Sequence, residues 1–447
     1  MSSCSDQGSE YNCAGRANVG VPDDRAPMMA LITELYPICR SITGDGMRRS
    51  LSILKRYIPL EMREVPSGTA VFDWTVPNEW NIRAAYIETL DGRRLVDFAT
   101  CNLHVVQYSH AINEIVPFEE LQRHLHSLPE TPDWIPYRTA YYADTWGFCV
   151  SQRQRDAMTE SAYHVVIDAT LARGHLTYGE LVVRGAREEE VLISCHCCHP
   201  SLGNDNLSGM AVATWLARYV MEAPRRFTYR FLFIPGTIGS ITWLARNETT
   251  VQRVRHGLVL SCLGDAGSST YKQSRQGNAL IDRYVEHVLR HSGSPYRITP
   301  FFPYGYDERQ YCSPGFNMPV GCFMRSPNGG YPEYHTSADN LDLVRTEALL
   351  DSLQKLERIV EVIEGDMICQ SLNPRGEPQL GKRGLYRPIG GQTGAFDQMT
   401  LLWVLNLADG NHSLFDMADR SNLPFASIKS AADALTRKGL LEPVHSF

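Results

Sequence analysis

Between about residue 160 and residue 365, short apolar runs alternate with helix-length amphipathic runs, and this alternation limits what the chain can fold into. Strands are predicted near 163–168, 191–195, 227–234, 258–262, 297–302 and 319–324, and helices near 210–219, 240–246, 280–290 and 346–364. The last helix carries Leu349, Leu353, Leu356, Val360 and Ile363 on one stripe. Strands that read as continuous apolar runs are buried on both faces and need helical crossovers. The order therefore implies an α/β fold with an open, mostly parallel sheet covered by helices on both faces. In such sheets ligands bind at the carboxyl ends of the strands.

Chemistry-bearing residues recur at those ends. After Val191-Leu192-Ile193 comes Cys195-His196-Cys197-Cys198-His199, and then Asn204-Asp205-Asn206-Leu207-Ser208-Gly209 leads into a helix. Asp265 follows the 258–262 run in a Gly-rich loop, and His335 precedes the last helix in Glu333-Tyr334-His335-Thr336-Ser337-Ala338-Asp339. Taken singly, Asp205 reads as a helix N-cap, Asp265 as a turn residue and His335 as a loop histidine. Together, imidazoles and carboxylates gathered at one sheet end suit zinc or another divalent transition ion. The cysteines of the cluster lack paired C-x-x-C spacing, and strand alternation puts Cys195 and Cys197 on the face opposite His196, as packing residues.

The flanks carry less chemistry. Residues 26–62 look helical, with Met28, Leu31, Ile32 and Leu35 on one stripe. From 64 to 135, short β-branched and aromatic runs separated by turn signals, including Asp91-Gly92, predict an inserted β-rich unit. The α/β domain is then expected over 26–63 and 136–370. Residues 373–378 read as a Pro/Gly linker, followed by three helix-like runs and a short strand over 384–447, the order of a winged helix-turn-helix. That segment holds five Lys/Arg against six Asp/Glu, which favours dimer contacts or peptide docking over nucleic-acid binding. Residues 1–25 are polar and small, with no signal-peptide core, and no run is long enough to span a membrane. A loose N-terminal tail and a cytoplasmic location are expected. In a reducing compartment the 12 cysteines are expected to be buried free thiols.

On these residues, 160–365 resembles the zinc-dependent aminopeptidases of the M28 family. Over nearly its full length the chain resembles a narrower group, the DUF4910 aminopeptidase-like proteins with an inserted DUF2172 domain and a C-terminal winged helix. Further motifs carry the match: Arg40-Ser41-Ile42-Thr43-Gly44, Phe72-Asp73-Trp74-Thr75-Val76-Pro77, Asn102-Leu103-His104-Val105-Val106 and Ile135-Pro136-Tyr137-Arg138-Thr139. The resemblance implies a zinc-exopeptidase-like fold binding one or two zinc ions through His196, Asp205, Asp265 and His335, with Asp205 as the bridge. His199 is a further ligand candidate, beside His196 or in its place.

Two departures from the M28 pattern stand out. The Asp that orients the first His is Cys198 here, and the Glu-Glu pair that supplies general base and ligand is Gly236-Thr237. Glycine can neither take a proton nor hold a metal through a side chain. Glu308 or Glu333 is expected to take over the base's role, with Tyr334 steadying an oxyanion; a one-metal route with another proton path is a further possibility. The predicted function is a zinc-dependent, aminopeptidase-like amide hydrolase acting on a small peptide or aminoacyl metabolite in a biosynthetic pathway. The alternative is a non-catalytic binding or assembly protein on the same fold, associating through the winged helix. The insert is expected to wall the pocket with Trp74, Trp80, Glu79 and the 137–142 run, where Arg138 would select a substrate carboxylate.

Overall fold

The computed structural model describes residues 25–385 and 398–444; the expected N-terminal tail lies outside them except for Arg25, which opens a helix. An eight-stranded sheet forms the body, in the spatial order Glu61–Pro66, His175–Val183, Thr228–Ile234, Glu190–His196, Val254–Leu260, Val320–Met324, Ser269–Lys272, Tyr296–Thr299. The four central strands are parallel, and antiparallel pairings flank them on both sides. Every residue of Glu190–His196 and of Thr228–Ile234 is buried, which is why their apolar runs show no alternation. The charges inside this layer are paired. Arg230 reaches Glu190 at 2.7 Å and Glu180 at 2.6 Å, and Arg253 also reaches Glu190 at 3.1 Å.

The next two strands in the chain, Thr228–Ile234 and Val254–Leu260, lie on opposite sides of Glu190–His196. The connections therefore diverge at the carboxyl end of that strand, at His196, and open a crevice there. The Gly209–Met221 helix leaves the crevice and packs on Thr346–Gly365, and Arg25–Leu35 joins the same layer. Three strands of the sheet, Glu61–Pro66, His175–Val183 and Ser269–Lys272, had no apolar run to announce them, and the first lies across the expected boundary between the helical segment and the insert.

The insert is a four-stranded antiparallel sheet in the order Arg94–Asp97, Glu79–Glu88, Ala162–Ala172, Ile112–Pro117. The Asp91-Gly92 turn closes its first hairpin, with Gly92 at φ 89°. The run at 163–168, expected in the large sheet, is the inner strand of this one instead. Periodicity marks a buried strand without saying which sheet it joins.

The C-terminal unit has the helices Gln398–Leu407, Leu414–Ser421 and Phe425–Arg437 around a three-stranded sheet of Asp409–Ser413, Ile368–Ser371 and Leu441–Pro443. The Pro/Gly segment at 373–378 therefore lies inside the winged helix, whose central strand starts at Ile368, and does not precede it. The cysteines among the described residues are all free thiols, mostly buried. Among those residues no helix is long and apolar enough to cross a membrane.

Candidate metal centre

His196 ends its strand fully buried, and the turn that follows folds back over it. Asp339 holds that turn: its Oδ1 accepts the Asn204 N–H at 2.6 Å and its Oδ2 the Asp205 N–H at 3.1 Å. Asn206 Nδ2 donates to the carbonyls of His196 and Leu260, tying the turn to two strands. The Asp205–Asn206 peptide is cis. Thus fixed, Asp205 is fully buried and meets three imidazoles. His196 Nε2 lies 2.8 Å from Oδ1, while His335 Nε2 and His199 Nδ1 lie 3.1 Å and 3.3 Å from Oδ2.

The electrostatics suit ligation. Burial alone would raise the Asp205 carboxyl, but the adjoining His199 and His196 outweigh it and hold it well below the usual carboxylate range. Burial also pushes His196 down to about 4 against the pull of Asp205. An ionised carboxylate facing a neutral imidazole is the protonation state a metal requires.

The loop bearing His335 is pinned by the 135–137 segment, which lies in the chain between the insert strands Ile112–Pro117 and Ala162–Ala172. Tyr137 N donates to the His335 carbonyl at 2.8 Å, and Ser337 Oγ accepts the Ile135 N–H at 2.9 Å. The Tyr137 ring stands edge-on to both His199 and His335, with centroids 5.1 Å away. Arg40, fully buried, donates from Nε to the His199 carbonyl at 3.0 Å. That contact gives the Arg40-Ser41-Ile42-Thr43-Gly44 motif a positioning role the sequence did not disclose.

Asp265 is placed differently from its expected role as a ligand. Its oxygens accept from Gly267 N at 2.6 Å, Ser326 Oγ at 2.7 Å, Asn204 Nδ2 at 2.9 Å and Ser326 N at 3.2 Å. It supports the Asn204 turn and is not among the groups around Asp205. Among the described residues, the metal-competent cluster is His196, His199 and Asp205, with ligand atoms within 4.8 Å of one another. Both histidines that the sequence left as alternatives face the carboxylate.

The expected replacements for the missing base lie elsewhere. Glu308 is fully buried in an ion pair with Lys272 at 2.7 Å, and its other oxygen accepts the Tyr306 N–H. Glu333 gives the His335 loop its carbonyl, which accepts from Thr336. The Tyr334 ring stacks behind His335 at 3.9 Å. None of the three lines the cavity beside the cluster.

The residue in the base's place is Tyr306, which the sequence did not single out. Its ring stacks on His196 with centroids 3.6 Å apart, and its hydroxyl lies 3.1 Å from His199 Nε2. A side chain at 236 would overlap the Tyr306 ring and hydroxyl, so the glycine and the tyrosine are one feature. Burial raises the Tyr306 phenol well above its usual value, so it keeps its proton. Asp307 fastens the adjoining turn: its Oδ1 accepts from Thr237 N at 2.7 Å and from Ser240 Oγ at 2.9 Å. A signal did exist in the sequence, namely a glycine at the one strand end where a large polar side chain was expected.

The cavity holds about 390 Å³. Trp74, Tyr137, Tyr141 and Tyr142 form one wall, and Tyr306, His199 and His335 line the side toward Asp205. Arg138 also lines it and forms no ion pair among the described residues; no carboxylate does. Trp80 and Glu79 are absent from this wall. Trp80 is buried against Tyr108, and Glu79 is ion-paired with Arg48.

A mixed, mostly parallel sheet with imidazoles and a carboxylate gathered at the end of its central strand, a β-rich insert and a C-terminal winged helix define an α/β protein of aminopeptidase-like fold. Residues 29–366 match the family model described as a domain of unknown function, DUF4910, and the chain belongs to that family. Residues 367–443 match a winged helix-turn-helix model. A Clostridium acetobutylicum protein, provisionally named for polysaccharide biosynthesis with an aminopeptidase-like domain, is 50% identical over 415 residues, covering 93% of this chain and 95% of its own. A crystal structure of a peptidase candidate from Clostridium acetobutylicum superposes with a TM-score of 0.90 at 47% identity, over 94% of this chain and 97% of that one. A zinc aminopeptidase from Bacillus subtilis shares the fold at a TM-score of 0.57 and 12% identity, over 76% of this chain and 95% of its own.

Proposed function

We propose that this chain is a zinc-dependent amide hydrolase of the peptidase type, acting on a small peptide or aminoacyl metabolite. The observation that carries this reading is the buried, ionised Asp205 facing three imidazoles beside an aromatic-walled cavity. The donor set fits zinc. His196, His199 and Asp205 place their ligand atoms within 4.8 Å of one another, within reach of the roughly 3.3 Å separation of ligands bound at 2.0–2.1 Å around a four-coordinate ion. These three would hold the ion, with His335 beside them on Asp205 Oδ2, and the ion would supply Lewis acidity to a carbonyl oxygen and acidify water.

The chain's own groups then divide the remaining work. Tyr306, holding its proton at Oη, can donate a hydrogen bond to a substrate oxygen gaining negative charge. The aromatic wall excludes water, and Arg138 offers the charge that would orient a substrate carboxylate. The name of the clostridial relative supports a biosynthetic, polysaccharide-linked setting for that substrate.

A second reading, a binding or assembly protein without turnover, is favoured by one observation: no carboxylate lines the cavity to act as general base. Losing that group typically costs about 10²–10⁴-fold in rate. Zinc content of chelator-free protein, measured beside an Asp205→Ala control with a panel of dipeptides and N-acyl amino acids, separates the two. Zinc that disappears in the variant, together with amide cleavage that disappears with it, supports the hydrolase. Zinc retained by the wild type with no cleavage supports the binding protein, and wild type that neither carries nor takes up zinc overturns the metal-centred reading.

A further inference from the structure

Two-metal hydrolases hold their ions about 3.5–4 Å apart and need two sets of ligands. The described residues provide one such set, and the positions that would complete a second are committed elsewhere. Gly236 has no side chain, and its space is taken by Tyr306. Thr237 is held through its backbone by Asp307. Asp265 has four donors on its two oxygens. Asp339 is occupied by the backbone of Asn204 and Asp205 and by the Tyr331 hydroxyl at 3.0 Å.

In compensation, the remaining set has gained an imidazole. His199 turns Nδ1 toward the Asp205 carboxylate and Nε2 toward the Tyr306 hydroxyl, while Arg40 holds its carbonyl. A ring nitrogen satisfied by an outer partner, with the other aimed at the centre, is the arrangement of a metal-ligating histidine.

We infer that the site is mononuclear: one divalent transition ion on His196 Nε2, His199 Nδ1 and the Asp205 carboxylate, whose ligand atoms lie within 4.8 Å of one another, with only His335, on Asp205 Oδ2, left at the second metal position. The inference rests on the metal-dependent reading above but not on turnover. Two imidazoles and a carboxylate with an open coordination position suit zinc, cobalt, iron or nickel rather than magnesium or calcium. Tyr306 is a positioning residue for His199 in this scheme, as Asp265 is for the Asn204 turn.

The test is metal binding by the full-length protein. Protein stripped with a chelator and dialysed is titrated with Zn²⁺ and with Co²⁺, reading stoichiometry by elemental analysis and coordination by the visible absorption of cobalt. One equivalent is expected, with His199→Ala weakening it by more than the roughly 10–100-fold typical of an outer-shell change and shifting the cobalt spectrum. Asp265→Asn is expected to keep the stoichiometry at one equivalent, because Asp265 braces the Asn204 turn and is not a ligand, with any change confined to affinity. Thermal unfolding and circular dichroism establish that each variant is folded. If His199→Ala fails to fold, His199→Gln and the Tyr306→Phe cobalt spectrum take its place; the latter should shift, because the outer partner of His199 is lost. A second equivalent of comparable affinity, magnetic coupling between two cobalt ions, a folded His199 variant that binds as wild type does, or no binding at all overturns the inference. Because no substrate is present, a failed hydrolase reading leaves this result intact; a second equivalent or an unaffected His199 variant overturns this inference alone, whereas no binding at all overturns both.

Discussion

Tyr306 and Gly236 lie 70 positions apart in the sequence and occupy one volume. The ring covers His196, the hydroxyl meets His199, and residue 236 must lack a side chain for either contact to form. Gly236→Ala should therefore force Tyr306 off His196 and destabilise the protein by roughly 1–3 kcal/mol, the usual cost of overpacking a filled site. In a Tyr306→Ala background the same substitution should cost much less, because the volume is then free. A double-mutant cycle by urea unfolding reads the coupling, and additive costs would show that the two residues are independent. For the same reason, restoring an acidic residue at 236 alone should not restore a general base. This pairing was out of reach of the sequence: it depends on which two chain segments meet, whereas His196, Asp205 and His335 were legible because each follows its own apolar strand or opens its own motif. Glu308 was misassigned for a related reason. A carboxylate in a motif can equally be half of a buried ion pair, and Lys272 had not been identified as its partner.

At the level of elements, the central strands were legible and their neighbours were not. Apolar runs, aliphatic in Glu190–His196 and mainly aromatic in Thr228–Ile234, marked those two strands, but His175–Val183 carries Thr177 and Glu180 among its buried residues and reads as polar. Those polar residues are the solution to a problem set by the adjacent strand. Arg230 is buried in the sheet, and Glu180 and Glu190 neutralise it from the strands on either side, with Trp243 Nε1 donating to Glu180 at 3.2 Å. Arg230→Met should leave two buried carboxylates facing each other and cost about 3–5 kcal/mol, the range for removing one partner of a buried ion pair. The measurement is the urea midpoint at constant m-value, and a loss under about 1 kcal/mol would mean that Arg253 on Glu190 and Arg63 on Glu180 compensate. The misassigned 163–168 run has a similar cause. Strand identity is written locally, but the choice between the large sheet and the insert sheet is made by partners at 79–88 and 112–117.

Across the whole molecule, the winged helix is docked on the body through the start of its third helix and the acidic side of its second. The amino end of Phe425–Arg437 abuts the Leu280–Arg290 helix, where Phe425 N donates to His287 Nε2 at 3.2 Å, and Arg283 and Arg290 meet Asp416 and Asp419 at 3.1 and 3.3 Å. With the segment carrying no net positive charge, duplex DNA should show no salt-dependent retardation on gels; a steep salt slope would contradict this. The same junction carries a titratable contact. Burial, with His291 and Arg290 nearby and Asp419 opposing them, lowers His287 from 6.5 to about 4, so at neutral pH it is an unprotonated acceptor for Phe425. The unfolded chain then binds a proton more readily than the docked one. His287's contribution is accordingly whole above about pH 6.5 and is lost as pH falls toward 4. Protection factors over residues 398–443, which correct for the intrinsic pH dependence of amide exchange, should fall in that window before those of the large sheet. His287→Gln, which can still accept from Phe425 but does not titrate, should flatten the dependence. Equal protection factors at pH 7.5 and 4.5, or a variant with the wild-type dependence, would place the docking free energy in the apolar contacts of Phe415 and Phe425 instead.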